Sequence, residues 1–168
     1  MRLLHIISDT NLGGAGRVLL NYLAFRDRSA FDVEVALPRG SALTAREELR
    51  DVRVHELDGL RDKSFDLSAV RALSRLIGET APDLVHTHGA FSGRVAAKRR
   101  GVPVVFTRHS AFPPSPRLTK GLGKAAFRTV TARYSDRIIA VSDVCRDGLV
   151  RCGVPPGKID VILNGTPP

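Results

Sequence analysis

A chain of 168 residues with 43% hydrophobic and 26% charged residues has the size and composition of one soluble globular domain. No apolar run reaches the roughly 20 residues that cross a bilayer, and the short apolar stretch before Asp9 does not read as a secretory signal. The net charge of +9 is local: ten Lys and Arg lie between Phe91 and Ser135 with no Asp or Glu among them, and the remainder is near neutral.

In chain order, short apolar runs alternate with helical patterns. Leu3–Ser8 has strand length, and Asp9–Arg17 is a turn bearing Gly13, Gly14 and Gly16. Val18–Leu23 then opens a helix. Asp32–Leu37 reads as a second strand, ended by Pro38-Arg-Gly40, and Ala42–Arg50 as a short helix. Val52–Leu57 is a third strand. After the polar stretch Asp58–Ser64, Leu67, Val70, Leu73 and Ile77 recur at steps of three and four, the signature of an amphipathic helix closed by Pro82. Asp83–His88 is a fourth strand, Ser92–Arg100 a basic helix, and Pro103–Thr107 a fifth strand. A proline-rich loop, Ala111–Pro116, leads into a long helix. Arg137–Val141 is a sixth strand, with Ser142 or Asp143 capping the next helix, and Ile159–Leu163 is a last short strand. Strict alternation of this kind predicts an α/β fold: a Rossmann-like, doubly wound parallel sheet of six to seven strands with helices on both faces.

Residues 1–163 form that domain, and Asn164–Pro168 reads as the start of a linker to a further domain. Cys145 and Cys152 lie two helical turns apart, about 10 Å, too far for a disulfide. Free thiols fit a reducing compartment.

Ligands of such sheets sit at the carboxyl ends of the strands. Gly13 and Gly14 end the first strand's loop, where a missing Cβ lets a ligand approach and a helix N-terminus favours phosphate. The same glycines also suit a plain tight turn. His86 and His88 share one face of their strand, because side chains alternate with period two. His88 stands at the rim, and His86 one step inside as a core histidine. Thr107-Arg108-His109 ends the next strand, so His109 and His88 are expected at one rim beside Gly13 and Gly14. An imidazole there donates to a phosphate or sugar hydroxyl, or takes a proton near neutral pH. Three histidines also permit a metal, but no Cys or Glu pattern supports one, and none is expected.

In the long helix, Arg117, Lys120, Lys124 and Arg128 fall within an arc of about 80°, almost opposite Leu118, Leu122, Ala126 and Val130. The apolar stripe is expected against the sheet and the basic stripe outward, as a solvated face or a surface for anionic membrane or phosphate. No nucleic-acid motif accompanies the basic run, and nucleic acid is not an expected partner.

The motifs Gly13-Gly14-Ala-Gly16-Arg17-Val18-Leu19, Asp83-Leu-Val-His-Thr-His88, Thr107-Arg-His109, Asp136-Arg-Ile-Ile-Ala-Val-Ser142 and Ile162-Leu-Asn-Gly165, in this order and spacing, resemble the N-terminal half of a family 4 glycosyltransferase with the GT-B fold. The resemblance implies sugar transfer from a nucleotide-sugar to a glycan, lipid or envelope acceptor, with retention at the anomeric carbon. It implies no obligatory metal and no cofactor beyond the donor substrate. It places Gly13 and Gly14 at the donor diphosphate and His109, the candidate catalytic residue, near the transferred sugar. His88, Arg108 and Arg17 are then acceptor or rim support. It also implies that the C-terminal half, which holds most of the nucleotide site, lies outside these residues, so that this chain alone is inactive. The expected place of work is the cytoplasm or the inner face of the cell membrane. Gly16 departs from the family, which often has Glu there.

Two other classes are weaker. A nucleotide-dependent oxidoreductase needs G-x-G-x-x-G and an acidic ribose ligand after the second strand, and neither is present. A non-catalytic basic module would bind anionic lipid or phosphate through the segment from Phe91 to Ser135.

Overall fold

Arg2–Ile7 (β1), Asp32–Pro38 (β2), Arg53–Leu57 (β3), Leu84–His88 (β4), Val104–Arg108 (β5), Arg137–Ala140 (β6) and Ile159–Val161 (β7) pair side by side, all parallel, in the order β3-β2-β1-β4-β5-β6-β7. The computed structural model describes residues 1–60, 65–110 and 121–165. The helices are Gly14–Phe25 (α1), Leu67–Thr80 (α2), Phe91–Arg99 (α3), Gly121–Arg133 (α4) and Asp143–Arg151 (α5). The expected doubly wound sheet is therefore present, with all seven strands.

Strand parity sorts the core into two faces. Leu4, Val85 and Val104 stand in register, as do Ile6, Thr87, Phe106 and Ile138. The apolar members of this face pack with α2, α3 and α5. Leu3, Ile7, Val33, Val35 and Leu37 point the other way and pack beneath Leu19, Leu20 and Leu23 of α1. Helices thus cover both faces. Gly93 lets α3 lie close to the sheet: a Cβ there would stand 3.1 Å from Ile6 and 3.2 Å from Thr87.

Asp66 caps α2, its side chain accepting from Ser68 N at 2.7 Å and Ala69 N at 3.1 Å. Such a cap contributes about 1 kcal/mol. The helix ends at Ala81, held left-handed at φ 44°, immediately before Pro82. Ser142 caps α5 by accepting from Cys145 N. Both cysteines are free and buried. Among the described residues, no helix is long and apolar enough to cross a membrane.

Two expectations need correction. Residues 42–50 are not an α-helix: only Glu47–Leu49 forms a 3-10 turn. The Ser41 carbonyl accepts from both the backbone N–H and the hydroxyl of Thr44, and such local bonds compete with a helix. The segment instead drops Leu43 and Leu49 into the core under α1. Leu67, in the apolar spacing of α2, is the first residue of the helix and 57% exposed, while Val70, Leu73 and Ile77 further along are buried. In α4, Leu122 is 90% exposed, and Phe127 and Thr131 take the inward positions. Tyr134, just beyond the end of α4, meets Phe91 edge-on at 5.5 Å.

Candidate active site

The strand order reverses between β1 and β4. Ligands of open α/β sheets sit in the crevice at the carboxyl ends of the strands flanking such a reversal. The loop after β1 carries Gly13 and Gly14, and β4 ends at His88, so the reversal brings both to one rim.

Gly13 is the N-cap of α1, extended at φ −88° and ψ −170°, and Gly14 is the first helical residue, so α1 begins four residues before the expected Val18. Neither glycine has a positive φ. A Cβ on Gly13 would make ordinary contact with Asp9 at 3.6 Å, and one on Gly14 would meet nothing within 4 Å. The fold itself therefore does not require glycine at either position. Gly16 is buried, and a Cβ there would press on Leu43 at 3.1 Å.

Beside this turn lies a groove of about 710 Å³, lined by Gly14, Ala15, His88, Arg94, Arg108 and His109 together with the inner side of α4. Arg94 is 7% exposed, its guanidinium 4.8 Å from the Phe91 ring centroid and 4.2 Å from that of Phe106. Its NH1 donates to Ser135 Oγ at 3.4 Å. Burial, and then repulsion from Arg108, lower its pKa to about 10, so it keeps its charge at neutral pH. The two guanidinium groups outnumber the one carboxylate among the described residues of the groove's lining, Asp9, and leave the groove suited to an anion.

His88 links two further rings. Its Nδ1 lies 3.0 Å from His109 Nε2, and its Nε2 lies 3.0 Å from His5 Nδ1. His86 stacks on His88 at 4.5 Å between centroids and pairs with Thr107 Oγ1 at 2.7 Å, the engagement expected of a core histidine. Burial holds all four rings neutral: it drives His5 and His88 well below 6.5, and His86 and His109 to about 4, with neighbouring His86, Arg26, His5 and His109 adding repulsion where they touch. One nitrogen each of His5, His86 and His88 lies within 4.8 Å of the others, the group among the described residues that could hold a metal ion. In the ladder, both His88 nitrogens and His86 Nε2 are already in hydrogen bonds.

The structure thus brings Gly14, His88, Arg108 and His109 together. Arg17 points outward on α1 and does not line the groove. Lys124 and Arg128 are exposed on α4; Arg117, Lys120 and the loop Ala111–Pro116 lie outside the described residues. Two groove-related residues escape the sequence reading. Arg94 is hidden in the basic run, three residues after Phe91, a spacing that puts the pair on one helix face. His5 has the strand parity of His86, its register partner, but only the adjacency of β1 and β4 makes that visible.

The model of Glycosyltransferase Family 4 matches residues 12–168. A curated relative from Escherichia coli, UDP-Gal:alpha-D-GlcNAc-diphosphoundecaprenol alpha-1,3-galactosyltransferase, is 29% identical over 98% of this chain. The chain spans 45% of that relative's length. Among solved structures, Anabaena Alr3699/HepE in complex with UDP-glucose superposes with a TM-score of 0.75 at 21% identity, over 99% of this chain and 44% of that one. A glycosyltransferase from Rickettsia africae gives 0.76 at 18% identity, over 96% and 42%. These structural likenesses carry the fold, and the family match carries the membership: the chain belongs to Glycosyltransferase Family 4.

Proposed function

We propose that this chain is the N-terminal, acceptor-side half of a retaining glycosyltransferase that moves a sugar from a nucleotide-sugar to a glycan, lipid or envelope acceptor. The observation that carries the reading is the groove at the strand-order reversal, where Gly14, His109, Arg108 and Arg94 converge. The glycines of its turn are not needed by the fold, which supports a use in admitting a ligand.

The donor diphosphate lies against the turn of Gly13 and Gly14, where the first N–H groups of α1 and its dipole meet negative charge. Arg94 and Arg108 add positive charge to the same groove, and such preorganised charge stabilises a diphosphate leaving group. His109, neutral at working pH, offers a ring nitrogen to a hydroxyl of the reacting sugar. His88 holds that ring in place. The curated relative's name gives GlcNAc-diphosphoundecaprenol as acceptor, which supports a lipid-linked acceptor here. Lys124 and Arg128, exposed on α4, suit contact with an anionic membrane surface, which favours a peripheral place at the cytoplasmic face. The second half of the donor site belongs to a domain following residue 163.

Calorimetric titration with UDP- and GDP-sugars tests the reading. It is run on this chain and on the protein carrying the following domain. Weak binding here and clear binding to the longer protein support an acceptor-side half. Tight binding to this chain alone places a full nucleotide site within it and overturns the split.

A further inference from the structure

The three rings His109, His88 and His5 meet edge to edge. In each link the nitrogens are 3.0 Å apart and the centroids 5.2 Å, so the difference is simply the two ring radii. The interplanar angles are only 21° and 23°. Lone pairs and N–H bonds therefore point along the row. The two terminal nitrogens, His109 Nδ1 and His5 Nε2, are buried without a hydrogen-bond partner among the described residues.

The two end residues line different spaces, although their terminal nitrogens are themselves buried. His109 lines the groove described above. His5 lines a second cavity of about 490 Å³ between α1 and the face of β1, β4, β5 and β6, together with Tyr22, Asn21, His86 and Ile139. The Tyr22 hydroxyl is also buried and without a partner there. His88 lines both spaces and is the partition between them.

We propose that His109, His88 and His5 form a proton relay that joins the active-site groove to this second cavity. A neutral imidazole has one donor and one acceptor nitrogen. Two hydrogen bonds in a row therefore force all three rings into the same tautomer. In one pattern every proton sits on Nε2, His109 Nδ1 is a bare acceptor, and His5 Nε2–H is a donor. In the other every proton sits on Nδ1, His109 offers a donor, and His5 Nε2 is bare. A proton entering at His109 Nδ1 moves the Nε2 proton of His109 to His88 Nδ1. The Nε2 proton of His88 passes to His5 Nδ1, and that of His5 leaves to water in the cavity. One proton enters, one leaves, and no ring ends charged.

The surroundings suit neutral shuttling. His86 stacks on His88, and burial, aided by the positive charge of Arg26, keeps His5 unprotonated. His109 then presents either an acceptor or a donor to a ligand hydroxyl without forming an imidazolium, and His88 and His5 are positioning residues that set which. The relay goes beyond the transferase reading and concerns ring protons alone.

The test is two-bond 1H–15N correlation NMR on histidine-labelled protein at pH 7, which separates protonated from bare ring nitrogens. The expected result is one shared tautomer for His5, His88 and His109, exchanging with its alternative at one common rate. Opposite tautomers within the row, a doubly protonated ring or a static pattern overturns the relay. His5→Asn keeps a partner for His88 Nε2 but cannot pass a proton on. Exchange at His88 and His109 should be lost in it; unchanged exchange means the proton moves locally and overturns the relay. If H5N fails to fold, the wild-type spectra decide alone. No sugar donor enters the experiment, so its failure leaves the transferase reading standing.

Discussion

The Arg94 guanidinium stands over the Phe106 ring, 4.2 Å from its centroid, at the floor of the groove. A cation over an aromatic face in a desolvated site gains about 2 kcal/mol, and here it also holds a positive charge where an anionic ligand would lie. Arg94→Met keeps most of the stem but removes the charge. It should weaken UDP binding in the longer protein about tenfold while unfolding stays cooperative, read by calorimetric titration beside a thermal melt. Unchanged UDP affinity would separate Arg94 from the anion site.

His109 reaches the groove, and its other ring nitrogen is held by His88. His109→Ala in the longer protein should lower turnover about 100-fold, a far larger effect than the modest fall in melting temperature expected from leaving buried His88 Nδ1 unpaired. Steady-state kinetics with any accepted donor read the effect. Turnover equal to wild type would remove His109 from the mechanism.

Gly14 and Gly93 make a matched pair. A Cβ at Gly14 meets no atom within 4 Å, and Ala is the better helix former by about 1 kcal/mol. Gly14→Ala should therefore leave stability unchanged or raised while donor affinity falls. Gly93→Ala drives a Cβ into Ile6 and Thr87 and should cost about 2 kcal/mol. Chemical denaturation compares the two. Equal destabilisation would mean Gly14 serves the turn rather than the ligand.

Acid should unfold the protein through its histidines. In the folded state His86 and His109 titrate near 4, and His5 and His88 well below 6.5, because burial disfavours the charged ring. The unfolded chain takes up these protons near pH 6.5 and so binds more of them. Stability is then complete above about pH 6.5 and falls as pH drops from there toward 4, by up to about 1.4 kcal/mol per pH unit for each ring. Urea midpoints from pH 8 to pH 4 read the slope. The triple variant H5F/H86F/H88F should flatten it if it folds; otherwise the wild-type curve is the test, and a flat curve between pH 6.5 and 5 contradicts the prediction.

Ala81 carries the sole positive φ outside glycine among the described residues. A left-handed Ala costs roughly 1–2 kcal/mol; Gly relieves that strain, and the greater freedom it gives the unfolded chain offsets part of the gain. Ala81→Gly should add about 0.5–1 kcal/mol in a thermal melt. A loss of stability would mean the Cβ makes a contact that outweighs the strain.

The order and type of the elements were legible in the sequence, because periods of two and of 3.6 and the punctuation by glycine and proline are local. So was the rim of Gly14, His88 and His109, since parity and the α/β rule put strand ends at one edge. The segment 42–50 was not legible, because its side chains compete with the helix and its leucines answer to α1 rather than to their own neighbours in sequence. Leu122, expected inward, is exposed for the same reason: Phe127 and Thr131 of α4 face the core, a choice made by packing across the fold rather than by the helix alone.

The sequence by itself determined that this is an alternating α/β chain with glycines and histidines at its strand ends. Only the tertiary structure decided that β1 lies against β4, which sets His5 beside His86 and within reach of His88. Strand order is a long-range choice, made by which apolar faces bury together across tens of residues, and no local pattern encodes it. The same choice turned Arg94 from one charge in a basic run into a buried cation on the groove floor.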